Sequence, residues 1–162
     1  MFAQVVRHLV VYSAHFDVLF IDEFTAGRRA LAQRSWRFVH DRRVVRSVRT
    51  LGMNVLVAAQ RFNLYAAQVL RNCTTNAERF LAFLRAVVKK RKQELQEHGD
   101  NAQLVLVFDN ASIHKTALIA EFLRVSGTVG LTLRPYRPEL NLAELYIRNA
   151  QASIRAELDA KG

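Results

Sequence analysis

Apolar residues gather in three short runs: Phe16 to Ile21 (FDVLFI), Asn54 to Ala58 (NVLVA) and Leu104 to Phe108 (LVLVF). Their length and β-branched content predict buried strands. Between the second and third runs the period changes. Phe80, Phe83, Leu84, Val87 and Val88 recur at helical spacing behind Asn76, whose side chain can cap a helix, and the pattern continues through a charged stretch towards Gly99. A second helix is predicted over Lys115 to Arg124, ending before Gly127, then a short strand over Leu131 to Leu133 and a last helix over Leu140 to Leu158. The two prolines, Pro135 and Pro138, mark a turn ahead of that last helix. Strands that then alternate with helices predict an α/β fold with a mixed sheet flanked by helices.

Composition narrows the class. A chain of 162 residues with 51% hydrophobic content can bury one sizeable core, so a single domain over residues 1–162 is expected. There are 24 Lys and Arg against 14 Asp and Glu, and the formal charge of +10 favours polyanionic partners. No apolar run approaches the roughly 18 to 20 residues of a membrane span, so no membrane partner is expected. The single cysteine, Cys73, excludes an internal disulfide, and the five histidines lack structural zinc spacing. Any bound metal falls to carboxylates.

Asp22 closes the first apolar run and Asp109 the third, which predicts both carboxylates at strand ends. A sheet can aim such groups rigidly at one cleft. Glu144 falls at the start of the last helix. Three carboxylates from two strands and a helix would suit hard cations such as Mg²⁺ or Mn²⁺, which prefer oxygen ligands. Each acid alone also has a plainer role. Asp109 can cap the turn of Asp-Asn-Ala-Ser, Asp22 beside Glu23 can be a solvated pair, and Glu144 can complement a helix dipole.

The ordered set of motifs carries more than its members. The chain has FIDE at Phe20 to Glu23, VFDNASIH at Val107 to His114 and RPYRPELNLAE at Arg134 to Glu144, with 34 residues between Asp109 and Glu144. This resembles the mariner-type DDE transposases and their bacterial insertion-sequence relatives. Trp36 and the segment TTNAERFLAFL at Thr74 to Leu84 extend the likeness over nearly the whole chain. The resemblance implies a ribonuclease H-like fold in which Asp22, Asp109 and Glu144 hold two Mg²⁺ or Mn²⁺ ions. It implies hydrolysis at transposon ends, then attack of the freed 3′-hydroxyl on target DNA. Asn110 and His114 match the pattern and would orient Asp109 or approach the DNA backbone. DNA is the implied partner, and a homodimer the implied assembly. The location would be the nucleus in a eukaryote, or the cytoplasm or nucleoid in a bacterium.

The chain also departs from the pattern. Arg134, Arg137, Leu142 and Ala143 stand where relatives usually show Pro, Ser, Pro and Ile. Only 21 residues precede Asp22, so the helix-turn-helix modules of full-length relatives are expected to be absent and the chain to be a truncated copy. Eight arginines lie between Arg28 and Arg49, with Asp41 the sole acid among them. Of these, Arg28, Arg29, Arg34, Arg37, Arg42 and Arg43 are candidates to line DNA phosphates, against the alternative of a solvated basic surface. Lys89 to Lys92 (KKRK) resembles an import patch but is expected to be an exposed helical face. Two readings follow: a metal-dependent endonuclease and strand-transferase domain, or a catalytically inactive DNA-binding remnant of a transposase.

Overall fold

The computed structural model describes residues 15–26, 53–71, 74–134 and 140–160. Five strands form one sheet: β1 (Phe16–Ala26), β2 (Met53–Ala59), β3 (Leu64–Arg71), β4 (Gln103–Phe108) and β5 (Val129–Thr132), in the order β3-β2-β1-β4-β5. β1 and β2 pair antiparallel, as do β2 and β3, whereas β1 with β4 and β4 with β5 are parallel. The sheet is therefore mixed, as expected. The helices are α1 (Ala77–Glu97), α2 (Ala117–Ser126) and α3 (Ala143–Ala160).

Alternation along the strands builds a core on each face of the sheet. Leu19, Ile21, Leu104, Leu106 and Phe108 pack with Phe80, Leu84 and Val87 of α1 and Ile119 of α2. Phe20, Val57, Val105 and Val107 pack on the other face with Ala143 and Ile147 of α3. Every second residue of β1 from Phe20 onward thus belongs to the α3 side, and Asp22 falls among them.

The helix ends follow local chemistry. Asn76 Oδ1 accepts the Arg79 N–H at 2.9 Å and caps α1, as its sequence position predicts. Gly127 ends α2 at φ +61°, a left-handed conformation that costs glycine least. Lys115, expected to open α2, instead closes a 3₁₀ turn over Ser112–Lys115.

One strand has no counterpart among the predicted runs, and another outlasts its run. β3 lies at the sheet edge, where Leu64 and Val69 are exposed and Leu70 alone is buried, so its sequence (LYAAQVLR) lacks the apolar pattern of a core strand. β1 does not stop at Asp22. It continues to Ala26 because β2 still pairs with it, from Asp22 opposite Val57 to Ala26 opposite Met53. What ends beside Asp22 is the neighbour: the last β1–β4 pair is Ile21 with Phe108.

Candidate active site

Asp22 and Asp109 each follow that last pair on adjacent parallel strands, roughly 4.8 Å apart in the hydrogen-bonding direction. This is the kind of crevice, beyond the carboxyl end of a strand, where α/β sheets bind ligands. Asp22 shares the apolar α3 face with Phe20, Phe24 and Ala26 and is buried, at 6% exposure. Its Oδ1 accepts the Glu23 N–H at 2.7 Å, and its Oδ2 accepts from Asn141 Nδ2 at 3.0 Å. Desolvation, opposed by the Glu23 N–H and reinforced by the negative charges of Glu144 and Asp109, pushes Asp22 up to about 7. Both partner acids therefore lie within Coulombic reach.

Glu144 occupies the first turn of α3, where the helix dipole favours a carboxylate. Its N–H donates to the Asn141 carbonyl at 3.1 Å. Asp109 is turned towards the α1 side. Its Oδ1 accepts the Ala111 N–H at 3.0 Å and lies 2.7 Å from His114 Nδ1. The His114 bond, more than any other influence, holds the Asp109 carboxyl below the usual range. Asp22 raised and Asp109 lowered are two neighbouring carboxylates driven apart in acidity by their surroundings.

Of the two auxiliary residues, His114 meets Asp109 and Asn110 does not. The His114 side chain is fully buried, stacked on Phe80 at 4.4 Å and tilted against Phe108 at 5.5 Å, so it is closed to solvent and placed to orient Asp109. Asn110 Oδ1 accepts instead from the exposed Lys115. Glu23, adjacent to Asp22, points to the opposite face, and its buried Oε2 has no hydrogen-bond partner. The six candidate arginines Arg28, Arg29, Arg34, Arg37, Arg42 and Arg43, with Trp36 and the turn from Pro135 through Tyr136 to Glu139, lie outside the described residues.

The KKRK segment is less free than a solvated face. Lys89 and Lys90 are exposed, but Arg91 bonds both oxygens of Asp17 at 2.8 and 3.0 Å, and Lys92 donates to the Ser126 carbonyl. The reason is tertiary: α1 crosses the start of β1, where Asp17 needs a partner.

Asn141 belongs to the RPYRPELNLAE motif without being one of its candidate ligands. An Asn between two leucines ahead of a helical pattern is a capping signal in sequence. That its amide also reaches Asp22, 119 residues away, has no local signature.

The donor set suits a hard divalent cation. All three acids offer oxygen, burial together with the charges of Glu144 and Asp109 raises Asp22, and each Asp22 oxygen keeps a lone pair beyond its one hydrogen bond. Among the described residues no three His, Cys, Asp or Glu side chains lie within ligating reach of one point. Like charges repel, and Asp109 is drawn to His114.

Sheet order, the helices on both faces and the acids at the β1–β4 crevice define the class as a ribonuclease H-like domain. The chain belongs to the DDE superfamily endonucleases, whose family model matches residues 17–161. The crystal structure of the catalytic domain of Mos1 mariner transposase is similar, with a TM-score of 0.60 and 17% identity over 98% of this chain and 77% of that one. The Mos1 catalytic domain with Raltegravir and Mn gives 0.60 and 17% over 98% and 78%. The Mos1 paired-end complex with left transposon end gives 0.64 and 15% over 93% and 46%, so this chain spans under half of that protein's length. No curated protein matches the chain.

Proposed function

We propose that this chain is the catalytic domain of a transposase, in which Asp22, Asp109 and Glu144 hold two Mg²⁺ or Mn²⁺ ions for DNA strand cleavage and transfer. The observation that carries the proposal is geometric: Asp22 and Asp109 each follow the last β1–β4 pair, Ile21 with Phe108, and the buried Asp22 carboxylate is bonded to Asn141, three residues before Glu144. A cation would stabilise a buried acid that lies within Coulombic reach of two other acids. Structures of the Mos1 catalytic domain with Mn and with Mg support a divalent ion, and Mos1 complexes with transposon ends support DNA as the partner.

In this reading the sheet holds Asp22, fixed at both oxygens, and the loop after β4 holds Asp109, oriented by His114. The first turn of α3 supplies Glu144. Held by these residues, divalent ions would supply the Lewis acidity to activate an attacking oxygen and stabilise a leaving oxygen in a phosphodiester displacement. The net charge of +10, including the arginines from Arg28 to Arg43, draws the DNA phosphates in. The reactions are hydrolysis at transposon ends and strand transfer, in a homodimer, located with the cell's DNA.

The test is nicking of supercoiled plasmid with Mg²⁺ or Mn²⁺. Metal-dependent nicking by the purified chain, lost in Asp109→Ala, is expected. A folded protein that binds DNA in a salt-sensitive way and never cuts it would instead be an inactive remnant.

A further inference from the structure

We propose that Asn141 is a positioning residue for the metal-binding acids, holding the Asp22 carboxylate with its side-chain amide while its two carbonyl oxygens hold the helix start that presents Glu144. The inference rests on the reading of Asp22 and Glu144 as ligands.

Asn141 is buried, at 4% exposure. Its Nδ2 donates to Asp22 Oδ2 at 3.0 Å, its Oδ1 accepts the Ala143 N–H at 3.1 Å, and its backbone oxygen accepts the Glu144 N–H at 3.1 Å. The amide can have only this orientation. Flipped, its NH₂ would face the Ala143 N–H and its oxygen would face the Asp22 carboxylate. With the Glu23 N–H on Asp22 Oδ1, the Asn141 bond fixes the carboxylate plane from both sides. The same residue thus sets the orientation of one acid and the start of the helix that carries another.

Capping alone does not require this residue. Ser, Thr and Asp also accept a free N–H at a helix start. Asparagine alone among these side chains couples an acceptor for Ala143 to a separate N–H donor long enough to reach Asp22. A buried amide costs free energy unless its polar groups are bonded, and here the donor is spent on a carboxylate 119 residues away. Partners of this kind typically change metal affinity by about tenfold to a hundredfold when removed.

The experiment separates tie from cap. Asn141→Ser keeps an acceptor for Ala143 but is one bond too short to reach Asp22; Asn141→Thr does the same and serves if the serine variant is unstable. Mn²⁺ binding to the purified chain, followed by electron paramagnetic resonance without DNA, is expected to weaken by about tenfold or more in either variant. The melting temperature is expected to stay close to that of the unmodified chain. Mn²⁺ affinity unchanged in both variants, while Asp109→Ala abolishes binding, would overturn the positioning role and leave the ligand assignment standing. No Mn²⁺ binding by the unmodified chain would overturn that assignment and this inference with it.

Discussion

His114 Nδ1 lies 2.7 Å from Asp109 Oδ1, and the imidazole that makes this bond is itself sealed from solvent against the Phe80 ring at 4.4 Å. With Nδ1 carrying the proton towards the carboxylate, Nε2 is a buried acceptor without a hydrogen-bond partner. A residue in that position is held by packing and makes its one polar bond to Asp109.

His114→Phe should therefore separate packing from orientation. The ring stack with Phe80 and Phe108 is retained, the orphaned Nε2 disappears and the bond to Asp109 is lost. Stability is expected to change by no more than about 1–2 kcal/mol, because one bond is lost and one unmet polar atom is removed. Metal-dependent cleavage is expected to fall by about tenfold to a hundredfold. Cleavage rates and a denaturation curve check both; full activity in the folded variant would show that Asp109 needs no help from the imidazole.

The raised pKa of Asp22 gives stability a definite pH dependence. The folded protein keeps this proton up to about 7, whereas the unfolded chain releases it near the ordinary value of 3.8. The folded state consequently holds more protons between these limits, and this contribution to stability declines as pH rises through the window. Three pH units correspond to an upper figure of about 4 kcal/mol. Asp109, lowered instead, acts only below the window, where stability falls as pH drops. Melting in chelator should fall more between pH 5 and pH 8 for the unmodified chain than for Asp22→Ala. Added Mn²⁺ should restore stability at pH 8 in the unmodified chain only. Parallel pH profiles for the two proteins would contradict the assignment.

Arg91 should matter for folding and not for the site. Its guanidinium bonds Asp17 at 2.8 and 3.0 Å and Glu94 at 2.9 Å, joining the middle of α1 to the start of β1. The pair is partly exposed, at 22% for Arg91 and 12% for Asp17, so solvent screening reduces its value below that of a fully buried pair. Arg91→Ala is expected to cost about 1–3 kcal/mol in urea denaturation while Mn²⁺ affinity is unchanged. Arg91→Lys should recover little, since an ammonium cannot reproduce the two-pronged contact. A loss of Mn²⁺ affinity in the folded alanine variant would mean that this end of the sheet is coupled to the acids.

The sequence by itself determined the elements whose residues carry their own instructions. The core strands β1, β2 and β4 are legible because they are buried on both faces and read as largely apolar runs. The start of α1 is written in Asn76 and the end of α2 in Gly127. The candidate acids were legible as an ordered set, through the motifs around Asp22, Asp109 and Glu144. Tertiary structure decided the rest. β3 exists because β2 offers an edge to pair with, β1 outlasts Asp22 because β2 continues beside it, and Arg91 leaves the solvent because Asp17 is near. The Asn141 amide against Asp22 and the burial that raises Asp22 belong to the same group. Periodicity and capping act over a few residues and can be read along the chain. Desolvation, edge pairing and hydrogen bonds between distant side chains depend on which segments meet, and folding alone establishes that.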